Sequence, residues 1–376
     1  MKLSNFPYLV QQEILHNIGY ADLFMLSFVS KNLKKLIKSS QIPRFKSINS
    51  IVYEDNGGNP PQVFIHGRNI RDMILQFADH FTRYLTKYFR LNVNGTMIGF
   101  GHAGWPWAYG HPSEPVIESI HNYLPDLFGS SVQYRCRTSS KREWFFPRPI
   151  WFFPPLQNVS VLRISCDREK EDIKEVWNNF SLSPDLKHID LSFMCQSVKH
   201  QDGLLIPLNE FTAQSEKLFP PECKLYQAES IETTQFYIST PAILSHFKGR
   251  QAILKCVILR SLCVIEFVNR WKSGEAFQKL EYLKVHKFNG GVTNVPQILD
   301  RIGAKYIDAS KTPPRHNLPK VFIEYHDSKR NTLPITSHTY VVRESDNRVA
   351  SVLIQGRWFK FGVWDKTEEE FLRMMK

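Results

Sequence analysis

The sequence predicts a mixed α+β / α/β chain: a three-helix module at the N-terminus, an irregular run of strand-then-helix units, and a C-terminal antiparallel meander. Three observations carry this. Apolar residues repeat every four positions at Val10, Ile14 and Ile18, the period of a helix face. From residue 156 a pattern of leucine, two residues, apolar, one residue, apolar recurs at Leu156/Val159/Val161, Leu186/Ile189/Leu191, Ile253/Cys256/Ile258 and Leu280/Leu283/Val285. Near the C-terminus Phe359, Phe361 and Val363 alternate as a half-buried strand does.

The first helix carries Leu9 and Leu15 beside the Val10–Ile14–Ile18 stripe and ends at Gly19. Asp22 is a suitable N-cap for a second helix with Leu23, Leu26 and Val29. Ser30 caps a third, with Leu33, Leu36 and Ile37 inward and Lys31, Lys34, Lys35 and Lys38 outward. So short a segment buries too little surface to fold alone. Yet it holds more large apolar side chains than its own core can use, among them Phe6, Phe24, Met25 and Phe28. The surplus must meet either the rest of this chain or a separate protein.

Phe6-Pro7, Ile14-Leu15, Ile18, Asp22-Leu23, Leu26 and Val29-Ser30-Lys31 resemble the F-box, the helical module that docks on the Skp-type adaptor of Skp–cullin–F-box ubiquitin ligases. Phe6-Pro7 stands where that family has Leu-Pro. Three departures concern Leu9, in place of an acidic residue, Leu33, in place of an aromatic, and Pro43-Arg44-Phe45, in place of a closing Trp-Arg. The resemblance implies adaptor contacts drawn from Phe6, Pro7, Ile14, Leu15, Ile18, Leu23 and Val29, some of which must instead hold the helices together. Asp22 reads as a cap.

Composition narrows the remaining classes. With 42% hydrophobic and 13% aromatic residues the chain is globular. Its 48 basic against 36 acidic residues leave +12, which raises a nucleic-acid or acidic partner. The charges are interspersed, and the densest basic run is the outward face of the third helix, so nucleic acid is the alternative rather than the leading expectation. The six cysteines, Cys136, Cys166, Cys195, Cys223, Cys256 and Cys263, show no CxxC and read as reduced thiols. Export and membrane-span patterns are not expected: Gln11, Gln12, Glu13 and His16 break the first apolar stretch, and Lys255, Arg260 and Glu266 break the longest one. A cytoplasmic and/or nuclear location follows as an expectation.

Beyond a connector at 41–46, strands are expected at 47–54 and 62–66, around Gly57-Gly58-Asn59-Pro60-Pro61. Ile70, Met73, Ile74, Phe77, Phe81, Tyr84, Leu85 and Tyr88 suggest a long amphipathic helix, followed by a strand-like run at 89–100 and a helix at 115–124. Gly99-Phe-Gly101-His-Ala-Gly104 is formally GxGxxG, but Trp105-Pro106-Trp107 follows where a phosphate-binding helix would have to open. His102 and His111 lack a third ligand at useful spacing. The acidic run Asp167, Glu169, Glu171 and Asp172 alternates with Arg168, Lys170 and Lys174 and reads as a solvated helix start. No motif supplies an enzyme's residues, so no cofactor and no metal is expected.

Strand–helix units of this length are the signature of leucine-rich-type repeats, expected here over 156–312 with a weak further instance at Ile231/Thr234/Phe236; because the spacing is uneven, an ordinary α/β layer domain with the same local pattern is the alternative. Helical patterns lie between them, at Ile173, Val176, Trp177 and Phe180 and at Val264, Phe267, Val268 and Trp271. Within them, Phe267-Val-Asn-Arg-Trp271-Lys272-Ser-Gly274 and Leu280-Glu-Tyr-Leu283-Lys-Val285 resemble the type 2 F-box-associated domain that follows the F-box in a large nematode group, over about residues 225–290. After Thr312-Pro313-Pro314, strands expected at 320–326, 338–344, 348–355 and 357–364 and a helix opened by Thr367-Glu-Glu-Glu370 form a cap over 313–376. The expected division is therefore 1–45 and 46–376. The resemblance implies a non-catalytic substrate-recognition subunit that binds a Skp-type adaptor, through it a cullin, and an unknown protein substrate. The alternative is a basic nucleic-acid-binding or general protein-interaction protein without a ubiquitin link.

Overall fold

The structure, a computed structural model, describes residues 3–55, 61–67, 70–78, 88–102, 106–109, 114–139, 159–166, 186–193, 220–235, 240–257, 259–288, 290–324 and 327–375. The chain forms two compact units, Met1–Ile164 with Glu175–Pro184, and Ser165–Lys174 with Asp185–Lys376. Packing therefore does not divide the chain after residue 45: the N-terminal helices belong to a larger body.

In the first unit the expected three helices are four: α1 (Tyr8–His16), α2 (Tyr20–Leu26), α3 (Lys31–Ser40) and α4 (Ile42–Lys46). The 41–46 connector is helical because Pro43 sits near the start of α4, where its missing N–H costs nothing. Ser30 caps α3, accepting from the Leu33 amide at 3.1 Å. Asp22 does not cap α2; Gly19 holds that position and Asp22 lies in the first turn, where its charge favours the helix dipole.

Strands β1 (Ile48–Asp55), β2 (Gln62–Gly67), β3 (Arg71–Ala78), β4 (Tyr88–Val93), β5 (Thr96–His102), β6 (Pro106–Tyr109), β7 (Gln133–Ser139) and β8 (Val159–Cys166) lie in the order β8-β7-β1-β2-β3-β6-β5-β4, with helix α5 (Glu114–Phe128) between β6 and β7 in sequence. The helix expected from residue 70 is instead strand β3, paired antiparallel to β2 and parallel to β6. Ile74, Leu75 and Phe77 are all buried. A strand covered on both faces is apolar in succession and can mimic a helical period. Phe81, Tyr84 and Leu85 lie outside the described residues. The run at 89–100 is a hairpin, turned at Asn94 and Gly95, both with positive φ (49° and 92°), the Asn-Gly turn that matches strand twist.

The second unit contains β9 (His188–Phe193), β10 (Ser230–Gln235), α6 (Thr240–His246), β11 (Gln251–Cys256), α7 (Ser261–Lys272), β12 (Tyr282–Lys287), α8 (Val295–Arg301), β13 (Lys305–Tyr306), β14 (Arg315–His316), β15 (Ile335–Thr336), β16 (Thr339–Val342), β17 (Arg348–Gln355), β18 (Trp358–Thr367) and α9 (Glu368–Arg373). β9 to β12 run parallel in chain order; β18, β17, β16 and β13 continue the sheet antiparallel from β12. The fold is thus a mixed α/β arrangement with extensive sheet. Each described instance of the repeated pattern falls at or just before a strand, with Leu186 and Leu280 preceding β9 and β12, whereas the helical pattern at 173–180 lies outside the described residues. The C-terminal meander attaches to the edge of β12.

Phe359 and Phe361 pack under α7, with Phe361 5.2 Å from Phe267 and 5.1 Å from the fully buried Trp271, ring to ring. Thr367 and Glu370 form the expected capping box of α9. Residues 320–324 of the strand expected at 320–326 do not form one, and residues 325 and 326 lie outside the described residues. Gln251 takes its ladder bonds: Nε2 donates to the Pro319 carbonyl at 2.8 Å, and Oε1 accepts from the Val321 amide at 3.1 Å.

Candidate functional site

The inward residues of the N-terminal helices are fixed by an aromatic cluster. Phe28 stacks on Tyr123 of α5 at 4.4 Å, and Phe24 meets the same ring edge-on at 6.0 Å. The hydroxyls of Ser27 and Tyr123 are hydrogen-bonded at 2.8 Å, and Phe45 meets Phe128 at 5.0 Å. Lys34 pairs with Asp126 at 2.5 Å while its ammonium lies 3.7 Å from the Tyr123 ring centre. Hydrogen bonds from Lys34, then Lys38, hold the Asp126 carboxyl below the usual carboxylate range. Arg44 closes α1: its Nη1 donates to the carbonyls of Ile18 at 2.6 Å and His16 at 3.1 Å, satisfying groups that a helix end leaves open. Its guanidinium also covers the Tyr20 ring at 4.1 Å.

These contacts divide the seven sequence-derived candidates. Leu15 and Leu23 are fully buried and belong to the core, because a side chain already removed from water has no surface left to offer a partner. Pro7, Ile14 and Val29 are exposed; Phe6 and Ile18 are half-buried. Tyr8, Leu9 and Val10, absent from the candidate set, are exposed as well, Leu9 at 75% and Val29 at 70%. The apolar stripe of α1 is therefore wider than its packing needs. That excess was visible in the sequence as Leu9 and Val10 flanking the four-residue period. Pro7 starts α1, its carbonyl accepting from Val10 and Gln11 at 3.0 and 3.1 Å, and Gln11 Nε2 donates to the Phe6 carbonyl at 2.6 Å.

Beside Ile18 and Val29 opens an apolar groove of about 570 Å³, floored by Met25, Leu26 and Phe28 and walled by Phe89 and Leu91 of β4. Asp22 is its polar member. Nothing in the N-terminal sequence announces Phe89 and Leu91; the hairpin brings them there.

Four short helices thus share a buried inner face, and α1 carries an apolar outer one. Residues 3–45 are an F-box domain. F-box domains bind Skp-type adaptors, and the family match covers the four helices up to Phe45. No curated protein and no solved structure matches the chain.

Burial pushes the thiols of Cys223 and Cys256 up to about 11 and that of Cys136 well above its ordinary value, so they are neutral and weakly nucleophilic at pH 7. Gly99 and Gly101 lie inside β5, not at a strand-to-helix turn. Among the described residues no group of three or more His, Cys, Asp or Glu could hold a metal ion, and no helix is long and apolar enough to cross a membrane.

Proposed function

We propose that this chain is a substrate-recognition subunit of a Skp–cullin–F-box ubiquitin ligase. Phe6, Pro7, Ile14, Ile18 and Val29 meet the adaptor, joined by Leu9 and Val10, and through the adaptor the chain reaches a cullin. Residues 46–376 hold a protein substrate, with 225–290 acting as a type 2 F-box-associated domain and 156–312 as an irregular leucine-rich-repeat-like stack. Catalysis belongs to other subunits; this one supplies proximity, raising the effective concentration of substrate lysines. Its place of work is the cytoplasm and/or nucleus.

One observation carries the reading. With Tyr20 and Phe24 packed against Phe128 and Tyr123 of α5, the F-box still presents Tyr8, Leu9, Val10, Ile14 and Val29 to water. Large exposed apolar residues gathered on one module mark an interaction site. The test is an adaptor pull-down with the full chain carrying Pro7→Ala and Ile14→Asp. Capture should vanish while the thermal melt of the remainder is kept; undiminished capture would refute this docking face.

A further inference from the structure

The second unit's sheet has one face under α7 and another that carries charge. Register places Ile253, Lys284 and Lys360 in one row across β11, β12 and β18, and Lys255, His286 and Trp358 in the next. Lys284 and Lys360 are directly opposite, an arrangement that repels. Lys284 is only 9% exposed, and its ammonium lies 4.3 Å from the Trp358 ring centre. His286 stacks on the other ring partner of that row, Trp358, at 3.9 Å. Among the described residues the carboxylate that acts on Lys284 is Glu232, and Glu232 is ion-paired to Lys255 at 2.9 Å. Nearby Lys320 is paired with Asp327. Lys284, buried, and Lys360, half-buried, are thus cations set against each other with no ion-paired carboxylate of their own among the described residues. Burying a charge unpaired is costly, and a bound anion removes that cost.

We propose that Lys284 and Lys360 bind one anionic side chain of a protein ligand, a phosphorylated residue or a carboxylate, with Trp358 and His286 packing against the residue beside it. It rests on the function proposed above only in taking that ligand to be the ligase substrate. A single anionic group suits the site better than a nucleic acid. A phosphodiester backbone carries closely spaced charges, and Glu232 and Asp190 lie on this face one and two strands beyond β11, where they would repel it. Burial, then Lys360 and Lys255, pushes Lys284 down to about 8, as expected of an ammonium awaiting a counter-charge.

The test uses the full chain and three fluorescein-labelled peptides of one neutral sequence, carrying at one position phosphoserine, glutamate or serine, followed by anisotropy. The phosphoserine or glutamate peptide should bind, and the stronger of the two names the source of the anion. Serine should bind about tenfold or more weakly, the loss of a charge-assisted hydrogen bond. Lys284→Met and Lys360→Met should each reduce binding similarly, and Lys311→Gln should not. Lys284→Met should also raise the melting temperature, since it removes a repelled buried charge; a lysine kept for structure would lower it. Equal binding of all three peptides, binding of none, or indifference to both lysine variants would overturn the site. A single-stranded oligonucleotide that binds through the same lysines would overturn the peptide assignment. The lysine variants should still capture the adaptor, so failure here is separable from failure of the F-box docking face.

Discussion

Val29→Asp separates docking from folding within the F-box. Val29 is 70% exposed in the turn between α2 and α3, so the change removes no internal packing, and stability should move by no more than about 0.5 kcal/mol. Full burial of such a side chain is worth about 1.5–3 kcal/mol. The exposed share available to a partner is therefore roughly 1–2 kcal/mol, or about 5- to 30-fold in affinity. A carboxylate desolvated in the interface adds to that loss. Leu23→Ala is the opposite perturbation. Leu23 is fully buried, and truncation should cost about 2–5 kcal/mol of stability while leaving adaptor affinity nearly unchanged below the melting transition. Calorimetric titration against a purified Skp-type adaptor, paired with thermal melts of both variants, reads the two quantities separately. Wild-type affinity in Val29→Asp, or loss of affinity in a folded Leu23→Ala, would refute the assignment of outward and inward residues.

Further outcomes follow from other contacts. Tyr123→Ala removes the Phe28 stack and the Ser27 hydrogen bond and should lower stability by about 3–5 kcal/mol, read by chemical denaturation. Gly362→Ala should destabilise by about 1–3 kcal/mol, because its Cβ would lie 2.7 Å from Nδ1 of the buried His316; a neutral result would show that the His316 ring can move. Thr367→Ala breaks the capping box of α9 and should cost about 1 kcal/mol in a thermal melt. Binding of the anionic peptide should weaken as pH rises past about 8, where Lys284 loses its proton among Lys255, Glu232, Lys360, Lys320 and His286. The same depression makes the unfolded chain the better proton binder between about 8 and 10.5, so this group's contribution to stability rises with pH across that window. A flat profile in either measurement would count against the burial of its charge.

Much of the fold was legible where one physical signal acted alone. Ser30 and the Thr367–Glu370 pair announce helix starts through the amides they satisfy, and the alternation of Phe359, Phe361 and Val363 places β18 correctly. Legibility failed where tertiary contacts outweighed local pattern. Ile70, Met73, Ile74 and Phe77 have a helical period, but β2, β6 and α2 hold residues 71–78 as a strand. Residues 320–324 have strand composition, yet the side chain of Gln251, from across the unit, bonds the Val321 amide and the neighbouring Pro319 carbonyl. The candidate site was half visible. An excess of apolar side chains at 6–29 could be counted from the sequence. Which of them face inward depended on Tyr123 and Phe128, nearly a hundred residues later. The lysine pair at 284 and 360 depends on strand register, which no local pattern fixes.

The clasp between Phe28 and Tyr123 bears on how the F-box can be inherited. A peptide ending at Phe45 would strip Phe24 and Phe28 of Phe100 and Tyr123 at once and should clump rather than fold. The N-terminal helices are therefore not a detachable cassette. Any recombination that joins them to a different body must also supply a helix with an aromatic ring where Tyr123 stands.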